Sequence, residues 1–246
     1  MLQKLYGLVG KNIAYSFSKK YFTERFLKTK ASDCVYDNFD ISEIQEFRDV
    51  LKSNPTLKGL NVTIPYKEAV IPYLDSLSKK AVEIGAVNVI RFTKSGKLKG
   101  YNSDAYGFKK ALEPMLQEHH RKALILGTGG ASKAVAFALK ELGILHTFVS
   151  RQATENTIDY TKINAATFEN YQIIINTTPI GTSPDVEEFP AIPYQFFTEK
   201  HIAFDLIYNP EETQFLKKAK QKGAVIKNGM AMLEFQAEKA WQIWNK

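Results

Sequence analysis

The sequence predicts an α/β protein of two domains on three observations. Strand-like and helix-like segments alternate through the first hundred residues, a second alternation carries a glycine turn at residues 127–130, and an amphipathic stretch closes the chain. The length of 246 residues allows one large domain or two modest ones, and either buries a sizeable core. In the first alternation residues 5–9 read as a strand, 19–28 as a helix, 35–39 as a strand and 42–51 as a helix capped by Ser42. Residues 60–64 form the next strand, with Leu60, Val62 and Ile64 on the core face and Asn61 and Thr63 on the other. Pro65 has no N–H to give and ends the pairing. Ser76 reads as the cap of a helix running to Ile84, and residues 86–92 and 98–101 flank Ser95-Gly96 as a hairpin. The sheet of this half is therefore mixed.

Residues 105–120, which include Pro114, are read as the helix and turn joining the halves. Residues 123–126 form a short apolar strand, followed by the glycine turn and an alanine-rich helix over 131–142 that Gly143 stops. Strands at 144–150, 172–176, 202–206 and 224–227, alternating with helical stretches, imply a parallel, doubly wound sheet. At the C-terminus, Leu233, Ala237, Ala240, Trp241 and Trp244 recur at helical spacing, so most of that stripe belongs to a core. Residues 184–193 are an acidic, proline-bearing loop.

Composition narrows the function. Hydrophobic residues at 44% and charged ones at 24% describe a globular protein, and 33 basic against 26 acidic side chains give +7. That balance suits anionic ligands or solubility. The lysines are spread along the chain without a basic run or zinc-finger spacing, which argues against nucleic acid. Cys34 is the single cysteine, read as a small hydrophobe near a strand start; no intrachain disulfide can form and a reducing compartment is expected. The N-terminal apolar alternation is too short and too early broken by glycine for a secretory signal, and no run of roughly 18 apolar residues could span a membrane. The cytoplasm is the expected location. His119-His120 is read as a solvent-facing pair, and no metal is expected.

Two segments carry chemistry. The stretch GLNVTIPYK at residues 59–67 sets Lys67 just past a strand end, beside Asn61 and Thr63. Open α/β sheets bind ligands at the C-terminal ends of their strands, although a solvated lysine after an edge strand is the alternative. The turn Gly127-Thr128-Gly129-Gly130 lies between a strand and a helix, where backbone N–H groups and the helix dipole can meet a pyrophosphate. The full GxGxxG spacing fails at Ser132, so a structural β-to-α turn is the alternative there. The next strand ends Val149-Ser150-Arg151-Gln152, with no carboxylate for a ribose hydroxyl and an arginine whose planar fork suits a phosphate. NADP is favoured over NAD, with a free surface arginine as the alternative.

Together these segments resemble the shikimate dehydrogenase family over nearly the whole chain. The likeness rests on GLNVTIPYK at 59–67, IGAVNVI at 84–90, GYNSDAYGF at 100–108, GTGGAS at 127–132, INTTPIGT at 175–182, DLIYNP at 205–210 and NGMAMLEFQA at 228–237, in that order. The resemblance implies an N-terminal substrate domain over residues 1–102, with 235–246 packing back on it, and a Rossmann-like NADP-binding domain over 103–234. It implies NADPH-dependent reversible reduction of 3-dehydroshikimate to shikimate, with a small-molecule substrate, no nucleic acid or membrane partner, and a monomer or homodimer. Lys67 and Asp104 are implied as the catalytic pair. Substrate contacts are implied at Ser16, Ser18, Asn61, Thr63, Asn88, Tyr208 and Gln236. NADP contacts are implied at Gly127, Thr128, Gly129, Gly130, Ala131, Ser150, Arg151, Leu206 and Gly229.

These roles make chemical sense. A substrate with a carboxylate and ring hydroxyls needs short hydroxyl donors for the acid and carboxamides, which both give and accept, for the hydroxyls. A lysine is protonated at neutral pH and a nearby carboxylate holds it so, which suits donation to a carbonyl oxygen; the coupled pair is the alternative donor. The chain departs from the family at Asn12, Tyr15 and the Ser18-Lys19 pair, where a proline, a histidine and Ser-Pro are usual, and this bears on the shape of the serine loop. No second cation follows Arg151 within residues 152–156, so use of NAD stays open. An enzyme acting on quinate as well, or a non-catalytic metabolite sensor on the same fold, are the rival readings.

Overall fold

The computed structural model describes residues 3–14, 16–152 and 154–246; Tyr15, singled out above, lies outside them. The chain forms two compact units, Met1–Ser103 with Ala237–Lys246, and Asp104–Gln236.

The first unit contains β1 (Lys4–Gly10), α1 (Ser18–Lys28), β2 (Cys34–Asp40), α2 (Phe47–Ser53), β3 (Leu57–Val62), α3 (Tyr66–Ala69), β4 (Ser76–Leu77), α4 (Lys79–Ile84), β5 (Val89–Phe92) and β6 (Leu98–Tyr101). Its sheet has the order β2-β1-β3-β5-β6-β4. The pairs β1/β2 and β1/β3 are parallel, and β3/β5 and β5/β6 antiparallel, so the expected mixed sheet and hairpin are present. Gly96 turns the hairpin at φ 78, a conformation that a side chain would strain.

Three local expectations fail, each for a physical reason. The strand over 60–64 is displaced to β3, which ends at Val62, so Ile64, expected in the core, lies past the pairing and is 62% exposed. From Gly59 to Val62 both faces of β3 are covered, and Asn61 is buried beside Leu60 and Val62; Lys58, earlier in the strand, is exposed. Ser42 caps nothing; its N–H and that of Glu43 both donate to the Glu46 carboxylate, at 2.9 and 2.8 Å. Ser76 lies in β4, and the helix cap is Ser78, whose hydroxyl accepts from Ala81 N–H at 3.2 Å.

The second unit contains α5 (Asp104–Leu112), β7 (Lys122–Leu126), α6 (Gly130–Glu141), β8 (Leu145–Ser150), β9 (Thr157–Asp159), α7 (Ala165–Asn170), β10 (Ile173–Asn176), β11 (Ile202–Asp205), α8 (Gln214–Lys220), β12 (Val225–Lys227) and the start of α9 (Met230–Trp244). Its sheet, β12-β11-β10-β7-β8-β9, is parallel throughout. The chain builds outward from β7 to β9, then returns to build from β10 to β12. The switch point therefore falls between β7 and β10, where an open sheet of this type offers a crevice. Leu124, Leu126, Val149, Ile174, Phe168 and Phe215 fill one layer of the core.

The last turns of α9 belong to the first unit. Ala237, Ala240, Ile243 and Trp244 join Tyr6, Phe22, Phe26 and Tyr36 in one apolar cluster. Trp244 donates its indole N–H to Ile90 O at 3.1 Å, and Arg25 grips Glu238 with two bonds of 2.6 and 2.9 Å. Gly59 in β3 is what admits this indole, since a Cβ there would overlap the Trp244 ring.

Candidate active site

In the first unit hydrogen bonds join several of the predicted substrate residues. Asn61, 5% exposed at the end of β3, accepts from the Tyr36 phenol at 2.8 Å and donates through Nδ2 to Asn88 O at 3.2 Å. Ser18 stands at the start of α1, and its N–H donates to Ser16 Oγ at 3.3 Å. Asn88 is held in turn by Ser103, whose N–H donates to Asn88 Oδ1 at 2.7 Å while its Oγ accepts from Asn88 Nδ2 at 3.0 Å. Of the seven predicted substrate residues, Asn61 and Asn88 thus belong to one bonded row, and Ser16 and Ser18 are bonded to each other. Thr63 stands half-buried just past β3, its N–H on Val9 O at 2.9 Å.

Lys67 lies in the single turn of α3 and is half-buried. Two bonds fix its backbone position: Tyr66 OH donates to Ile41 O at 2.9 Å, and Val87 N–H donates to Lys67 O at 2.7 Å. The side chain is thereby presented from a rigid point although the helix itself is one turn long.

In the second unit Asp104 opens α5 and is 5% exposed, placed where the N-terminal end of a helix favours negative charge. Gln236, 9% exposed on α9, lies over Gly107, where a Cβ would come within 3.0 Å of Gln236 Cβ. The carboxylate Asp205, at the end of β11, is fully buried. It accepts from Asn176 Nδ2 at 3.1 Å, Ile207 N–H at 3.0 Å and Thr213 Oγ1 at 2.6 Å. These bonds anchor the loop that carries Leu206 and the half-buried Tyr208. Burial pushes the Asp205 carboxyl up to about 7, against the downward pull of its three donors.

The glycine turn sits at the switch point, between the end of β7 and the start of α6. Gly127 adopts φ 101 against Thr177, whose hydroxyl donates to Leu126 O at 2.6 Å. Gly129 is different: a Cβ added there would meet no atom within 4 Å. Nothing in the protein's own packing requires a glycine there, so the open space over the first turn of α6 fits a pyrophosphate received by backbone N–H groups. Ser132, which breaks the glycine pattern, is fully buried and turns its hydroxyl back on Gly129 O at 2.6 Å. Ser150 ends β8 and Arg151 is exposed directly after it. Gly229 is pressed against the Leu206 carbonyl, which brings those two predicted cofactor residues into contact.

Sequence reasoning missed Tyr36, Ser103, Asn176, Asp205 and Thr213. Asn176 and Asp205 carried a signal, a polar residue ending an otherwise apolar strand. His119-His120 needs correction: His120 is 6% exposed, with its Nδ1 accepting from Gln117 N–H at 2.9 Å and its Nε2 3.2 Å from Lys200 O. The ring is structural, and burial lowers its pKa. Among the described residues no group of three His, Cys, Asp or Glu is placed to hold a metal, and no helix is long and apolar enough to cross a membrane.

Two α/β units, one with a mixed sheet and a buried polar row, the other Rossmann-like with a glycine turn at its switch point, define the class of two-domain dinucleotide-binding proteins. The family model described as the shikimate dehydrogenase substrate binding domain matches residues 8–90. The NADP(+)-dependent shikimate dehydrogenase of Methanosphaera stadtmanae is 38% identical over 257 residues, covering 97% of this chain and 90% of that protein. The crystal structure of shikimate dehydrogenase from Aquifex aeolicus matches with a TM-score of 0.87 at 34% identity, over 99% of this chain and 92% of that one. Shikimate 5-dehydrogenase from Thermus thermophilus, in complex with NADP(H) and shikimate, matches with a TM-score of 0.86 at 30% identity over 98% and 93%. The chain belongs to the shikimate dehydrogenase family.

Proposed function

We propose that this protein catalyses the NADPH-dependent, reversible reduction of 3-dehydroshikimate to shikimate, a step toward chorismate and the aromatic amino acids. The observation that carries this reading is the match, over 98% of the chain, to a Thermus enzyme holding NADP(H) and shikimate. The bonded pairs Ser16–Ser18 and Asn61–Asn88 support it, because a ligand of carboxylate and hydroxyl groups needs such donors and acceptors. Thr63, Tyr208 and Gln236 complete the proposed substrate set.

The first unit takes the role of substrate domain and the second that of nucleotide domain. Gly127, Thr128, Gly129, Gly130 and Ala131 would hold the pyrophosphate, Ser150 and Arg151 the extra phosphate, and Leu206 and Gly229 would flank the ring. When bound, the reduced nicotinamide supplies the hydride that goes to the ketone carbon. Lys67 holds a proton at Nζ for the ketone oxygen, and Asp104 is assigned the catalytic carboxylate. We read the chain as a cytoplasmic monomer or homodimer, which fractionation and light scattering test.

The deciding assay follows absorbance of NADPH, and separately of NADH, with 3-dehydroshikimate. Turnover with NADPH well above that with NADH is the expected result. Ligand binding without NADPH consumption would instead point to a metabolite sensor.

A further inference from the structure

Tyr36 is a buried polar side chain that the proposed chemistry does not use. It projects from β2, is 2% exposed, and its ring stacks on Phe22 with centroids 4.6 Å apart and planes 9° apart. Both β2 and β3 pair with β1, so its 2.8 Å bond to Asn61 Oδ1 crosses the intervening strand.

That bond has a definite direction. Asn61 Nδ2 faces Asn88 O, which can only accept, so the carboxamide fits one way round and Oδ1 must face the phenol. The phenol is then the donor. With Oδ1 taking one bond and Nδ2 giving one, Asn61 keeps one N–H and one lone pair for a ligand.

We propose that Tyr36 is a positioning residue for substrate recognition: its buried phenol fixes the Asn61 carboxamide in the one orientation that leaves an N–H and a lone pair for substrate. The inference rests on the functional reading above. A site reads hydroxyls well only when its side chains are locked by packing and by hydrogen bonds behind them.

The test is Tyr36→Phe, which keeps the ring stack and removes the hydroxyl. Expected is a KM for 3-dehydroshikimate raised about tenfold, kcat within about threefold of wild type, and an unchanged KM for NADPH. In a double-mutant cycle, adding Tyr36→Phe to Asn61→Ala costs no more than Asn61→Ala alone. A lowered Tm with unchanged KM, or full additivity in the cycle, overturns the inference. If the wild type itself fails to oxidise NADPH with 3-dehydroshikimate, the functional reading falls first and takes the inference with it. Should Tyr36→Phe not fold, 3-fluorotyrosine at position 36 replaces it. Its fluorine resonance is expected to shift saturably with added shikimate, and a resonance that does not move overturns the proposal.

Discussion

Lys67 and Arg151 do their proposed work through features that can be removed without touching the backbone around them. The bond from Val87 N–H to Lys67 O survives truncation of the side chain, so Lys67→Ala is expected to keep its circular dichroism spectrum and Tm. Turnover is expected to fall about 10²–10⁴-fold, the usual worth of a positioned acid or base. Turnover equal to wild type would remove Lys67 from the chemistry. Arg151 is exposed after β8, where its fork is free to grip a dianion. Arg151→Gln is expected to raise KM for NADPH about tenfold while leaving KM for NADH unchanged, as loss of a charge-assisted contact would. Equal effects on both nucleotides would argue that Arg151 serves the fold. Both residues could be singled out in the sequence because Arg151 directly follows a strand and Lys67 lies shortly past one. Tyr36 could not, since its partner lies 25 residues away across a strand order that local pattern does not encode.

At the scale of elements, the site depends on close approach between backbone segments. Gly229 precedes α9 and its missing side chain is what lets the Leu206 carbonyl lie against it. Gly229→Ala must push the loop after β11 outward, because a carbonyl cannot yield as the end of a flexible side chain can. Expected are a raised KM for NADPH and a Tm several degrees lower, consistent with an overpacking cost of about 1–3 kcal/mol. An alanine variant with wild-type KM and Tm would show that the loop has slack. Strands with unbroken apolar runs, such as β7 and β10, were legible because a buried parallel strand needs no alternation. The helix starts were less so: Ser76 reads as a cap, but its pairing with β6 in β4 leaves the capping to Ser78. The edge strand β9, three residues long, offers too little pattern to read.

For the whole molecule, two electrostatic effects oppose each other as pH rises. A chain of charge +7 and isoelectric point 9.2 loses self-repulsion toward alkaline pH, which favours the compact state. Asp205 acts the other way. Below about pH 4 its carboxyl is protonated in both folded and unfolded chains, and the buried neutral group contributes its full stability. Between there and about 7, the folded chain keeps the proton that the unfolded chain has released. The unfolded state then binds fewer protons, so stability falls as pH rises, and the loss is complete above the folded value. The size is on the order of 4 kcal/mol, the free energy of a displacement of about three pH units. Asp205→Asn cannot titrate and lacks this slope. Urea unfolding of both proteins from about pH 4 to about pH 8 is therefore expected to give a wild-type stability that falls relative to the variant up to neutrality and runs parallel above it. Parallel curves across the whole range would mean that the donors Asn176, Ile207 and Thr213 offset the burial, leaving Asp205 ionised in the fold.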